Sequence, residues 1–182
     1  ANVRRKSITV RELIDRYLNS LKKRELSDDY QYSTKLRLNK FEEDHGEWMA
    51  CDISAEVVGD WLYDLDFAPL TVNHYRAVIL QAFNYGVRIR AIESNPAEAV
   101  DKIKERGKAI DALSSEQAAD LLAHTPKEIL PAVVIGLFAG LRRSEISRLD
   151  WSEVDFEQGH IEVKAKNAKS AARRLVPMRE CL

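Results

Sequence analysis

Apolar side chains recur at three- and four-residue intervals through the first half of the chain, the period of helices with one buried face. Val10, Leu13, Ile14, Tyr17, Leu18 and Leu21 form the first such stripe. Thr9 and Glu12 stand before it at capping-box spacing, where each side chain satisfies a free amide of the helix start. A second helix is expected from about Ser33 towards Gly46, carrying Leu36 and Phe41. Val57, Val58, Trp61, Leu62 and Leu65 mark a third. Pro69 then breaks the chain, and Thr71 can cap a fourth helix with the stripe Val72, Tyr75, Val78, Ile79, Ala82 and Phe83.

Ser94-Asn95-Pro96 punctuates the end of this helical unit, residues 1–100. Segment 101–112, DKIKERGKAIDA, is charged, holds one glycine and lacks large apolar periodicity; it reads as an interdomain linker. A second region, 113–182, opens with another capping box, Ser114 and Gln117, ahead of Ala118, Leu121 and Leu122. Pro131 suits a helix first turn, so ILPAVVIGLFA, residues 129–139, is expected to be a core helix that stops at Gly140. A short amphipathic helix follows, with Ile146 and Leu149 on one side. At about Trp151 the period changes from helix to strand. HIEVKA, residues 160–165, alternates polar and apolar, and RRLVPM, residues 173–178, is a second short strand candidate. The pattern therefore predicts a mainly α protein with a small antiparallel sheet.

Composition narrows the partners. The chain has 182 residues, 45% of them hydrophobic and 31% charged, with 28 basic against 29 acidic. A uniformly basic nucleic-acid binder is excluded, whereas a local basic face is not. Cys51 and Cys181 lie far apart, suit no metal spacing and read as free thiols in a reducing cytoplasm. No apolar run approaches the roughly 20 residues that span a membrane, and no signal peptide is recognisable. No membrane partner, metal or small-molecule cofactor is expected.

The basic residues concentrate late in the chain. Lys164, Lys166, Lys169, Arg173, Arg174 and Arg179 crowd one hairpin, with no acid between Lys164 and Arg179. Such a hairpin can lie along a phosphate backbone or be a solvated surface. In GLRRSEISRLDW, residues 140–151, Arg142 follows an apolar segment directly. A guanidinium there needs an anion, which is either Glu145 three residues on or a phosphate. In the first unit, Thr71, Asn73, His74 and Arg76 open the fourth helix as candidate phosphate contacts, and Arg88 and Arg90 can extend that face.

Taken together, GLRRSEI, the Leu-Asp-Trp that follows, the Lys169-Ser170 turn and RRLVPM resemble the tyrosine recombinases, the phage integrase family. Members carry a Gly-Leu-Arg-x-x-Glu-Leu turn, a Leu-x-Trp-x-Asp-like segment, and a hairpin with a Lys-Thr-like turn before an Arg-x-Val-Pro-Leu-like strand. The helical part ending in Asn95-Pro96-Ala97 is similar to the family's SAM-like core-binding domain. The resemblance implies such a domain at 1–100, followed by the N-terminal part of an α+β catalytic domain at 113–182. It implies that Arg142 is the first catalytic arginine and Lys169 the hairpin lysine, with Glu145 orienting rather than reacting. Lys166 is the rival for the turn position. Arg143, Lys164, Lys166, Arg173 and Arg174 join the candidate DNA contacts. The implied partner is double-stranded DNA, cut and rejoined through a 3′-phosphotyrosine by a parent acting as a tetramer on two sites. The family pattern continues into a His-x-x-Arg motif and a nucleophilic tyrosine, whereas all six tyrosines here precede Arg142. The chain is therefore expected to be a fragment that cannot cleave DNA alone. Two other readings remain open: a non-catalytic DNA-binding regulator or integrase remnant, and a helical protein-interaction module.

Overall fold

The computed structural model describes residues 8–105, 107, 112–165 and 172–178. The chain divides into two compact units, Ala1–Lys108 and Ala109–Leu182.

The first unit is built on four helices: α1 (Val10–Lys22), α2 (Asp28–His45), α3 (Ala55–Tyr63) and α4 (Pro69–Arg88). The expected capping box opens α1: the Glu12 amide donates to Thr9 Oγ1 at 3.2 Å and the Thr9 amide to Glu12 Oε2 at 3.3 Å. Val10, Leu13, Ile14, Tyr17 and Leu21 then turn inward. Every residue of the α4 stripe is buried as well. The rings of Phe41, Trp61 and Phe83 meet edge to face, with Phe41 centroids 5.0 Å from Trp61 and 6.3 Å from Phe83. Gly86 permits the close approach of α4 to α1, because a Cβ there would lie 3.0 Å from Leu13 Cδ1.

Two expectations change. The second helix begins at Asp28, and Leu36 lies on its open side while Leu38 and Phe41 fill the core. The acidic pair Asp28 and Asp29 in the first turn complements the helix dipole, a start signal that apolar spacing does not carry. The fourth helix starts with Pro69 at its first positions, so Pro69 opens the helix and Thr71 sits inside the first turn.

Beyond α4 the chain is tied back onto that helix. Asn95 is buried and fully bonded: its Nδ2 donates to the Leu80 carbonyl and Asn84 Oδ1, each at 2.9 Å, and its Oδ1 accepts the Ala97 amide. A 3-10 turn, Pro96–Ala99, follows. Further on, Asn73 exchanges two bonds of 2.9 Å with the Ile103 backbone, and Arg76 donates to the carbonyls of Val100 and Ala97.

The second unit holds α5 (Ser115–His124), α6 (Leu130–Val134) and α7 (Arg143–Ile146), with a sheet of β1 (Val154–Asp155), β2 (His160–Val163) and β3 (Arg174–Pro177) in spatial order β1-β2-β3. Both pairings are antiparallel; Ile161 faces Val154 on one side and Val176 on the other. Ser114 and Gln117 form the expected capping box of α5. The segment 129–139 differs from a regular core helix. It passes from α6 into a π-helical turn, Ile135–Ala139, in which Ile135 alone is buried and Phe138 is exposed. Its small core joins Ile135 and Leu141 to Ile161 and Val163 of β2. Among the described residues, no helix is long and apolar enough to cross a membrane.

Candidate active site

Gly140 sets up the turn that carries Arg142. Its φ of 63° is left-handed, which glycine adopts without the Cβ clash that other residues suffer. The reversal sends Leu141 into the core and leaves Arg142 at the mouth of α7. A Cβ on Gly140 would meet open space, so Gly140→Ala is expected to cost only the backbone term, about 1–2 kcal/mol. A lowered urea midpoint for the second unit, with its slope unchanged, checks this.

Glu145 organises the site from below. Its side chain is 1% exposed, yet it carries a carboxylate with four donors. Arg174, on β3, gives Nη1 at 3.0 Å and Nη2 at 2.7 Å, a two-point grip on both oxygens. Arg142 gives its backbone amide at 2.9 Å and its Nη1 at 3.2 Å. The Arg174 bonds first, then the Arg142 amide, hold the carboxyl at about 2, well below its ordinary 4.5; burial alone would push it up. Glu145 is thus charged at neutral pH and holds two cations in one place. Arg142 remains 56% exposed on its solvent side, whereas Arg174 spends both terminal nitrogens inward.

A second buried carboxylate stands beside the sheet. Glu153 accepts Lys164 Nζ at 2.9 Å and the Asp150 amide at 3.0 Å, and these bonds keep it below the usual carboxylate range. Sequence reasoning passed over Glu153, although Asp150 and Glu153 have capping-box spacing and form that box here. Arg173 pairs with Glu162 across the β2–β3 strands. Three of the basic hairpin residues, Lys164, Arg173 and Arg174, therefore have carboxylate partners within the unit. Lys166 and Lys169 lie outside the described residues.

The first-unit candidates scatter. Asn73 and Arg76 are committed to holding residues 97–105, and His74 is exposed between them. Thr71 is half-buried. Arg88 lies over the Tyr85 ring, 5.3 Å from its centroid, and Arg90 is exposed with a φ of 58°. Arg143 is exposed in the first turn of α7.

Residues 111–182, which contain the whole of this turn and hairpin, match the phage integrase family model. Over this region the chain is similar to the phage integrase family. Among curated relatives in Escherichia coli (strain K12), the putative defective protein IntQ matches at 26% identity over 101 residues, and the prophage integrase IntR at 26% over 94. Those alignments take in 55% and 52% of this chain, but only 25% and 23% of the relatives. Among solved structures, a lambda integrase dimer bound to a COC′ core site superposes with a TM-score of 0.80 at 16% identity, over 94% of this chain and 49% of that one. A lambda integrase tetramer bound to a Holliday junction gives 0.81, over 94% and 51%. The Tn1549 transposon integrase with circular intermediate DNA gives 0.75 at 21% identity, over 96% and 62%. The fold shared with these structures, helical with a small antiparallel sheet, agrees with the architecture expected from the periodicity and with the family fold that the resemblance implied.

Proposed function

We propose that this chain is a member of the integrase family and takes part in site-specific DNA recombination in the cytoplasm, as a portion of a longer enzyme. Residues 1–100 serve as a core-binding domain on duplex DNA, 101–112 as the connection, and 113–182 as the N-terminal part of the catalytic domain. Support comes above all from the Arg142 turn, where a buried carboxylate fixes the backbone and one nitrogen of an arginine whose outer face stays open.

In a phosphoryl transfer, negative charge gathers on the nonbridging oxygens, and a pre-oriented guanidinium can meet two of them. A fixed donor of this kind contributes about 3–4 kcal/mol in a favourable site. Arg142 takes that role. Lys169 protonates the leaving 5′-oxygen as general acid. Glu145 positions Arg142 without meeting the DNA. The attacking tyrosine, and a tetrameric assembly on two DNA sites, belong to the longer parent, since all six tyrosines here precede Arg142. His74, Arg88, Arg90 and Arg143 are candidate backbone contacts whose side chains lie exposed.

Fluorescence anisotropy on labelled duplex, repeated across salt concentrations, tests the reading. The logarithm of affinity should fall linearly with that of salt, by about 0.9 per phosphate neutralised. Weak association that ignores salt would instead favour a protein-interaction module. On a nicked duplex, no covalent protein–DNA adduct is expected from this chain alone, and its appearance on a denaturing gel would overturn that part.

A further inference from the structure

A cavity of about 770 Å³ lies in the first unit, between the α1–α2 connection and the C-terminal half of α4. Its two side-chain amides have their accepting atoms already used. Gln81 Oε1 takes the phenol hydrogens of both Tyr17, at 2.9 Å, and Tyr30, at 2.7 Å. Asn84 Oδ1 takes the Asn95 amide at 2.9 Å. Each carbonyl is thus turned towards the protein, and each NH₂ group keeps its hydrogens to give.

Two guanidinia complete the lining. Arg88 lies against the Tyr85 ring, and Arg24 comes from the α1–α2 connection. Both line the same cavity as the Tyr17 phenol. Among the described residues, none that lines the cavity is acidic. Two cations beside two amides, with no anion among them, form a surface that lacks only its acceptor.

We infer that this cavity binds a phosphate-bearing anion, gripped by Arg24 and Arg88 and aligned by the amides of Gln81 and Asn84. Phosphate oxygens accept from several donors at once, and arginine meets them in its own plane. The anion is either a phosphodiester of bound DNA or a free polyphosphate. Only the first source overlaps the proposed DNA binding, and the cavity argument does not depend on Arg142 or the hairpin.

The probe is inorganic tripolyphosphate, titrated at low salt into the 182-residue chain and followed by ¹⁵N NMR. Saturable shifts are expected at the side-chain amides of Gln81 and Asn84 and at the Nε of Arg24 and Arg88. The R24Q/R88Q double variant should lose at least about tenfold in affinity, the scale of one charge-assisted bond. Both arginines are exposed, so its helix signal should match the parent's. Shifts spread over all surface arginines without saturation would overturn the site, and so would unchanged affinity in the double variant. A duplex that displaces the tripolyphosphate identifies DNA as the source. A duplex that binds alongside it identifies a free polyphosphate. If duplex binding fails altogether while tripolyphosphate still saturates, the DNA reading falls and the anion site stands.

Discussion

Replacing Phe41 with alanine is expected to cost the first unit about 3–5 kcal/mol, the range for emptying a large aromatic site. Phe41 is completely buried, with His45 stacked on one face at 4.6 Å and the edges of Trp61 and Phe83 against it. These neighbours come from three helices, so no single one can move in to refill the space without disturbing another. For a unit of this size the loss corresponds to a fall of roughly 15–30 °C in melting temperature. Leu36→Ala on the same helix is the control. Leu36 is 57% exposed, and its loss should stay within about 0.5 kcal/mol. Thermal melts of both variants followed by circular dichroism check the pair. Equal losses would mean that α2 buries a different face.

That contrast also marks where the sequence was readable. The α1 and α4 stripes were legible because nearly every apolar position on them is buried, so spacing alone picks out the face. On α2 the apolar residues are few and Leu36 points away, so the same rule gave a late start and one wrong core residue. The turn at Gly140 and strands β2 and β3 were legible from local signals: a helix stop, then alternation. β1 was not, since two residues cannot show a period. The π-helical turn was also hidden, because its composition matches that of an ordinary core helix.

The candidate site divides the same way. The Arg142–Glu145 pairing spans three residues and follows from the motif. Arg174 reaches Glu145 from 29 residues away, through strand register and the placement of α7 beside the sheet. No local pattern encodes that contact, so a basic residue that looked like a DNA contact is bound to a buried carboxylate of its own unit.

Removing that carboxylate is the second large perturbation. Glu145→Ala leaves Arg142 and Arg174 facing each other across an empty acceptor. Breaking a fully buried pair costs about 3–5 kcal/mol, but these arginines are 56% and 35% exposed, so about 2–3 kcal/mol is expected here. Glu145→Gln keeps one carbonyl and should fall between the two. The pH dependence separates charge from shape. The folded carboxyl titrates at about 2 against an ordinary 4.5, so between those values the unfolded chain binds more protons. The contribution is therefore complete above 4.5 and lost as pH falls towards 2. Glu153, also held low, adds to the same acid loss in the wild type, so the Glu145 part is the difference between the wild-type and E145Q curves. Urea midpoints of the two proteins, taken from pH 7 to pH 3, should converge as the pH drops. DNA binding should respond oppositely to stability. E145A removes a negative charge and frees guanidinium nitrogens, so its affinity for duplex at low salt should not fall below that of the wild type. If stability and affinity fell together, Glu145 would be holding a binding surface; if stability alone fell, it would be aiming one arginine.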